Sequence, residues 1–487
     1  MKASTIENMM LTCAETLKKL DGNLPYMKEF EGIPESLRQH ECPDWFRDLK
    51  FGIYFHWGPM SVPAVDGWYA RNMYKQGSGA YKYHVKHYGH PSKVGYKDVI
   101  PLWKAEKFDP DKLVAYFKEV GAKYITPVAV HHDNFDLWNS KHHKWNAVNM
   151  GPKKDIIGMW KENIEKQGLI FGVTTHLSRC YSWFQTSHGA DKTGSMKDVP
   201  YDGNDPEYED FYLDTHDDDD LRSPNNPPEK WRRHWVDRIT DLIDNYHPQL
   251  LYFDASVPFR GDDQGKTGME VIAHFYNDNM KQTGGKSNGV LFIKKIPDHG
   301  EYQEGIASLD IEGHVSDVML DDPWQTDFEI GQGWFYNRNA KYKSIETVIH
   351  NLVKIISMNG NLLLNIPIMP DGTLDADSKR VLEGVKEWLS VNGDAVFKTR
   401  PWKQSHENGI YFTRKGKNLY LFALKKLKKK ISIKALGSKN LGVKIARVVL
   451  MESKKEVTFR HEENALHLEV PKQKFTKHVV VIHLHLE

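Results

Sequence analysis

Short apolar runs alternate along this chain with segments whose apolar residues recur every three or four positions. The runs are FGIYFHWG (51–58), YITPVAVHH (124–132), LIFGVTTH (169–176), QLLYFDAS (249–256), GVLFIKK (289–295), SLDIEGH (308–314) and GNLLLNIP (360–367), with a weaker one at PWQTDFEIG (323–331). Continuous apolar runs of this length read as strands buried on both faces. The intervening segments read as helices. DPDKLVAYFKEVG opens on Asp-Pro and closes on Gly121, and DIIGMWKENIEKQG closes on Gly168. KWRRHWVDRITDLIDNY and KSIETVIHNLVKIISMNG carry the same helical spacing.

Strand and helix repeated about eight times predict a parallel (β/α)8-type barrel. Several runs end on polar or aromatic side chains: His56 and Trp57, His131 and His132, His176, Asp254, Glu312. In such barrels the C-terminal ends of the strands carry the active site. Residues 396–487 read differently, as short alternating strands from GIYFTRKG to HVVVIHLHLE. They predict a C-terminal antiparallel β-sandwich. The expected division is a catalytic barrel over 1–395, with a leading helical segment marked by AETLKKL, and a sandwich over 396–487.

Composition narrows the function. Of 487 residues, 40% are apolar and 27% charged, which is ordinary globular material, and a net charge of +1 gives no pull toward nucleic acid or membrane. The basic run KKLKKK (425–430) reads as a solvated turn or an edge-strand guard. No run approaches the ~18 apolar residues of a membrane span, so no membrane insertion is expected. The N-terminus lacks a secretory h-region and cleavage site, so either the protein is not secreted or a signal has been removed. Cys13, Cys42 and Cys180 have no CxxC spacing and predict neither a zinc site nor a disulfide framework. Aromatic residues reach 12%, with 14 Trp, and their faces suit sugar rings. A homo-oligomer is compatible with all of this.

Asp254 ends the most apolar run, where a carboxylate costs free energy unless it is paired or used. One use is as a nucleophile at an anomeric carbon. Retaining glycosidases set two carboxyl groups about 5–5.5 Å apart. The partner candidates are Glu301, Glu304 and Glu312, of which Glu312 sits best on a strand. The four histidines at strand ends, His56, His131, His132 and His176, fit sugar hydroxyls better than a metal. Adjacent His131 and His132 point to opposite sides of a strand, and both reach one site only if the strand ends there. The long segment of about 183–229 includes Asp217 to Asp220, whose spacing does not match an EF-hand loop.

Taken together, FGIYFHWG, GWYARNMY, GAKYITPVAVHHDNFDLWNS, GPKKDIIG, LLYFDAS, PWQTD, NGNLLLNIPIMPDGTL and NGDAVFKTRPW resemble glycoside hydrolase family 29, the retaining exo-α-L-fucosidases, over roughly residues 40 to 403. The resemblance implies a barrel with a C-terminal sandwich, no metal or other cofactor, an oligosaccharide or polysaccharide substrate and, if a signal peptide has been removed, a periplasmic or secreted protein. It implies Asp254 as nucleophile and Glu312 of DIEGH as acid/base. It places His56, Trp57, Trp68, His131 and His132 in the sugar pocket, with Tyr252 where the family often has Trp. His176 and Trp324 complete the expected substrate contacts. The chain departs from the family at Gly67, at Thr174-Thr175-His176 and at Gly313-His314. These departures bear on substrate identity, and α-L-galactosides, as in red-algal galactans, are the alternative to α-L-fucosides. A non-catalytic carbohydrate-binding protein on the same fold is a more remote one.

Overall fold

All eight apolar runs become strands, and they close into one parallel barrel in sequence order. The computed structural model describes residues 29–218, 220, 224, 226–285, 287–294, 305–472 and 478–487. The strands are β1 (Phe51–Phe55), β2 (Tyr124–Val130), β3 (Ile170–Thr175), β4 (Leu250–Phe253), β5 (Val290–Lys294), β6 (Ser308–Asp310), β7 (Trp324–Glu329) and β8 (Gly360–Asn365). β1 pairs with both β2 and β8, which closes the ring.

The longer helices are α1 (Pro110–Val120), α2 (Ile156–Lys166), α3 (Glu229–Tyr246), α4 (Lys266–Gln282), α5 (Ile345–Ser357) and α6 (Ala376–Val396). Their ends follow from capping chemistry. The Asp109 carboxylate accepts the Lys112 amide at the start of α1, and Gly121 takes a left-handed φ of 115° at its end. Before β1 lie two short helical turns, Pro34–Leu37 and Asp44–Leu49. AETLKKL and Cys13 fall outside the described residues.

Side-chain alternation sorts each strand into an outer face against the helices and an inner face that fills the barrel. Ile53, Phe55, Ile125 and Leu251 join the outer core. Tyr54, Tyr124, Leu250, Tyr252, Phe292 and Leu363 form a separate inner cluster. Gly52 makes room for one of these rings, since a Cβ there would lie 2.3 Å from the Tyr124 ring.

The pairing of β2 with β3 slips by one residue between Val128 and Val130. Ala129 is thus a bulge residue. Val128 belongs to the inner cluster, whereas Ala129 and Val130 both belong to the outer core. The next inward position is therefore His131.

Beyond α6 the chain forms a five-stranded antiparallel sheet of order β13-β16-β11-β10-β9 and a three-stranded one of order β12-β15-β14. The first comprises β9 (Arg400–Glu407), β10 (Ile410–Lys415), β11 (Asn418–Ala423), β13 (Ile445–Leu450) and β16 (Val480–Leu486); the second comprises β12 (Lys430–Ile433), β14 (Thr458–His461) and β15 (Leu466–Glu469). A second hydrophobic core lies between them, around Phe412, Leu421, Leu466 and Ile482. The outer side of the larger sheet packs on the barrel helices through Phe422 and Val481, and Trp388 of α6 donates its indole N–H to the Val479 carbonyl at 2.9 Å. The lysines of KKLKKK are exposed and lead into edge strand β12, as a solvated turn and edge guard would.

Candidate active site

The polar residues of the site stand one step of two residues above the inner cluster. His56 follows Tyr54, His176 follows Thr174, Asp254 follows Tyr252, and Glu312 follows Asp310. A strand repeats its facing every second residue, so each lands on the inner side at the C-terminal rim. His56, His131, His132, His176, Asp254 and Glu312 line one cleft, with Trp68 at its side. β2 ends at Val130, which is how both His131 and His132 enter the same space.

Asp254 is the focus of the cleft. Its Oδ2 lies 2.9 Å from Nδ1 of His176, 3.8 Å from Arg179 and 3.9 Å from Nε2 of His132. The His176 contact is within hydrogen-bond distance but lies off the ideal line of an N–H donor. On its other side the His176 ring meets the Tyr54 hydroxyl, 3.2 Å from Nε2. A carboxylate only accepts, so this proximity favours the tautomer with its proton on Nδ1, in which Nε2 accepts from Tyr54.

The other rings are fixed by the same reasoning. Asn365 donates its amide N–H to the Trp334 carbonyl at 2.8 Å, which turns its Oδ1 to His56 Nδ1 at 2.9 Å. His56 therefore donates from Nδ1. His132 Nδ1 donates to the His176 carbonyl at 2.9 Å. Burial, followed by the neighbouring imidazoles, pushes His131 well below the usual histidine range; burial and His176 do the same to His132. Both rings are neutral near pH 7, so His132 Nε2, 3.9 Å from Oδ2 of Asp254, is a lone-pair acceptor.

The Asp of His-His-Asp does not join the cleft. Asp133 accepts from the Tyr96 hydroxyl at 2.6 Å. Three residues on, Asp136 pairs with Arg238 of α3, both fully buried, and Arg238 also donates to Asn134 Oδ1 at 2.6 Å. This network anchors the segment that presents the two imidazoles.

Three residues expected in the pocket lie elsewhere. Trp57 follows His56 by one residue and so faces outward, where it packs on Trp103 and Phe108 and donates to the Met369 carbonyl. Trp324 opens β7 at the far end of the barrel and donates to the Met358 carbonyl. Tyr252 lies one layer below, with its hydroxyl on Asp310 at 3.2 Å. Glu301 and Glu304 lie outside the described residues. Asp66 is engaged with the Trp68 amide and the Asn72 side chain. Four further residues line the cleft: Tyr54, Arg179, Asp327 and Trp334. Tyr54 and Asp327 sit at inward strand positions and were readable by counting in twos; Arg179 and Trp334 come from connecting segments.

Among the described residues, His56, His131 and His176 form one group with metal-ligand spacing, and His132, His176 and Asp254 form another. No helix among them is long and apolar enough to cross a membrane.

A parallel eight-stranded barrel whose rim gathers carboxylates, neutral imidazoles and indoles into one cleft fits a glycoside hydrolase, which needs carboxyl groups beside a sugar ring. The family described as Alpha-L-fucosidase matches residues 23–394. The human plasma alpha-L-fucosidase is 28% identical over 405 residues, covering 81% of this chain and 78% of the relative. The bovine tissue alpha-L-fucosidase is 27% identical over 396 residues, 80% of this chain and 76% of the relative. Among solved structures, the Thermotoga maritima alpha-fucosidase in complex with a mechanism-based inhibitor aligns with a TM-score of 0.74 at 27% identity, covering 94% of this chain and 100% of that one. The chain belongs to the alpha-L-fucosidase family, glycoside hydrolase family 29.

Proposed function

We propose that the protein is a retaining exo-α-L-fucosidase in which Asp254 is the nucleophile and Glu312 the acid/base. The observation that carries this reading is the placement of Asp254 and Glu312 on the walls of one cleft, with His176 Nδ1 2.9 Å from the Asp254 carboxylate. The mechanism-based inhibitor bound by the Thermotoga relative adds support.

In the first step an Asp254 oxygen attacks the anomeric carbon as the glycosidic C–O bond breaks. Glu312 gives its proton to the departing oxygen. In the second step Glu312, now a carboxylate, takes a proton from water, which displaces Asp254 and releases the sugar with its configuration retained. The neutral imidazoles of His131 and His132 exchange hydrogen bonds with the sugar hydroxyls, and Trp68 and Trp334 offer ring faces. His176 holds the Asp254 carboxylate in one rotation.

The test pairs Asp254→Asn and Glu312→Ala on 4-nitrophenyl α-L-fucoside. Asp254→Asn is expected to lose about 10⁴-fold or more in kcat, as removal of a covalent nucleophile does. Glu312→Ala is expected to lose about 10²–10⁴-fold on substrates with poor leaving groups, less on aryl glycosides, with azide rescuing the second step. Near-wild-type turnover by Asp254→Asn refutes the assignment.

A second reading, α-L-galactosidase, is favoured by one feature. At Gly67 a side chain would meet nothing nearer than the Trp334 amide at 3.9 Å, so the backbone next to Trp68, which lines the cleft, leaves space where the family's acidic side chain would stand. A clear preference in kcat/KM for 4-nitrophenyl α-L-galactoside selects that reading and leaves the roles of Asp254 and Glu312 in place.

A further inference from the structure

A second cavity, of about 360 Å³, opens on the same rim of the barrel. That size suits a small ligand, for which pockets run roughly 300–1,000 Å³. Lys144 comes to it from the segment after β2, Tyr181, Leu213 and Asp214 from the long segment after β3, and Trp231 and His234 from the first turns of α3.

The aromatic part of the wall is built in advance. Tyr181 and Trp231 are buried, with ring centroids 6.1 Å apart at an interplanar angle of 29°. The Tyr181 ring also stacks on His216 at 3.7 Å, and His216 Nε2 bonds back to the Tyr181 carbonyl at 2.9 Å. Two fixed rings beside Leu213 make an apolar surface of the kind that the C–H face of a pyranose covers.

The charges are mostly spoken for. Lys144 sits 3.0 Å from Asp210, and Lys230 is 4.0 Å from Glu209. Asp214 then leaves three carboxylates against two ammonium groups in the lining. Burial pushes His234 down to about 4 and His143 well below the histidine range, so neither adds positive charge near neutral pH. An anionic ligand would meet a surplus of like charge.

The cavity and the catalytic cleft open on the same rim, on two sides of one helical stretch: Arg179 lines the cleft and Tyr181 the cavity, and residues two apart on such a stretch point in opposite directions. We propose that this cavity is a second sugar subsite, taking a neutral pyranose unit of the same glycan at a distance from the bond that is cut. The inference rests on the glycosidase reading above.

The experiment compares 4-nitrophenyl α-L-fucoside, which is too short to reach the cavity, with neutral fucosylated oligosaccharides of increasing length. The variants are Trp231→Ala, which removes an aromatic wall, and Asp214→Trp, which fills the cavity from an exposed position and leaves the buried rings in place. Wild type is expected to gain about tenfold in kcat/KM once the glycan is long enough, mainly through KM, and both variants to lose that gain while keeping aryl-fucoside turnover within twofold. Calorimetry on Asp254→Asn, with and without Asp214→Trp, reads the cavity apart from catalysis: the longest oligosaccharide is expected to bind the first and about tenfold more weakly the second. Length-independent kcat/KM in wild type, equal losses on short and long substrates, unchanged binding on adding Asp214→Trp, or tighter binding of a sulfated than of a neutral oligosaccharide would each overturn the subsite. Failure of the aryl fucoside alone, with the binding difference intact, would instead strike the proposed reaction.

Discussion

His176 Nδ1 lies 2.9 Å from Oδ2 of Asp254, and the opposite nitrogen of the same ring lies 3.2 Å from the Tyr54 hydroxyl. The imidazole is therefore a rigid spacer between the barrel interior and the carboxylate. Asparagine places an N–H close to where Nδ1 stands, whereas alanine places none. His176→Ala is expected to lower kcat on 4-nitrophenyl α-L-fucoside by about 10²-fold, the cost of a misplaced reacting group, with a smaller change in KM. His176→Asn should recover most of the loss. Wild-type kcat in the alanine variant, or equal losses in both, would remove the ring from this role.

The imidazole cluster also makes a prediction about metals. His132, His176 and Asp254 place their ligand atoms within 4.8 Å of one another. A zinc ion bound there would occupy the carboxylate that the proposed chemistry needs. EDTA is expected to leave activity unchanged, and excess zinc to lower it in a manner that EDTA reverses. Activity lost in EDTA and restored by zinc would point to a metal-dependent reaction instead.

Arg238 and Asp136 are both fully buried. Burial dominates at Asp136 and pushes its carboxyl up to about 6 even beside the guanidinium. Removing one member of such a pair strands the other charge, at a cost of roughly 3–5 kcal/mol. Arg238→Met should lower the melting temperature and weaken sugar binding, because Asn134 and Asp136 lie just past His131 and His132. The double variant Arg238→Met, Asp136→Asn should be less damaged than the single one. Additive losses would mean that the two do not act as a pair.

Burial pushes the Asp133 carboxyl up to about 7 although Tyr96 donates to it. In an unfolded chain the same group titrates near about 3.9. Between about pH 4 and pH 7 the folded protein holds a proton that the unfolded chain has released. The contribution of this group to stability is thus fullest below about pH 4 and is lost as the pH rises to about 7. Asp133→Asn keeps an oxygen for Tyr96 and cannot ionise. Its melting temperature should gain on that of wild type from pH 5 to pH 7.5; a constant difference across that range would refute the account.

The barrel was legible because parallel strands buried on both faces leave continuous apolar runs, and even the weak PWQTDFEIG run became β7. β9 was not legible as a strand of its own: in RPWKQSHE only Trp402 is buried, so no alternation marks it. Within the cleft, residues at strand ends were readable from position. Trp57 and Trp324 were not, since chemistry suggested them and facing excluded them: one is out of step with His56, the other stands at the wrong end of its strand. Arg179 and Trp334 reach the cleft from connecting segments, where no period constrains a side chain.

Ala129 gives the doublet His131-His132 its meaning. Were β2 to keep all its residues but pair without the slip, the inward step after Val128 would fall on Val130 and then on His132, and His131 would turn toward the helices. Regular pairing would thus exchange the two imidazoles, sending the one that looks across the barrel at His56 outside and moving the one that neighbours Asp254 into its place. Removing Ala129 outright would not, since Val128 would still face in, Val130 out and His131 in. The choice between two adjacent rings is made by a shift in register upstream of both, and not by the length of the strand that carries them.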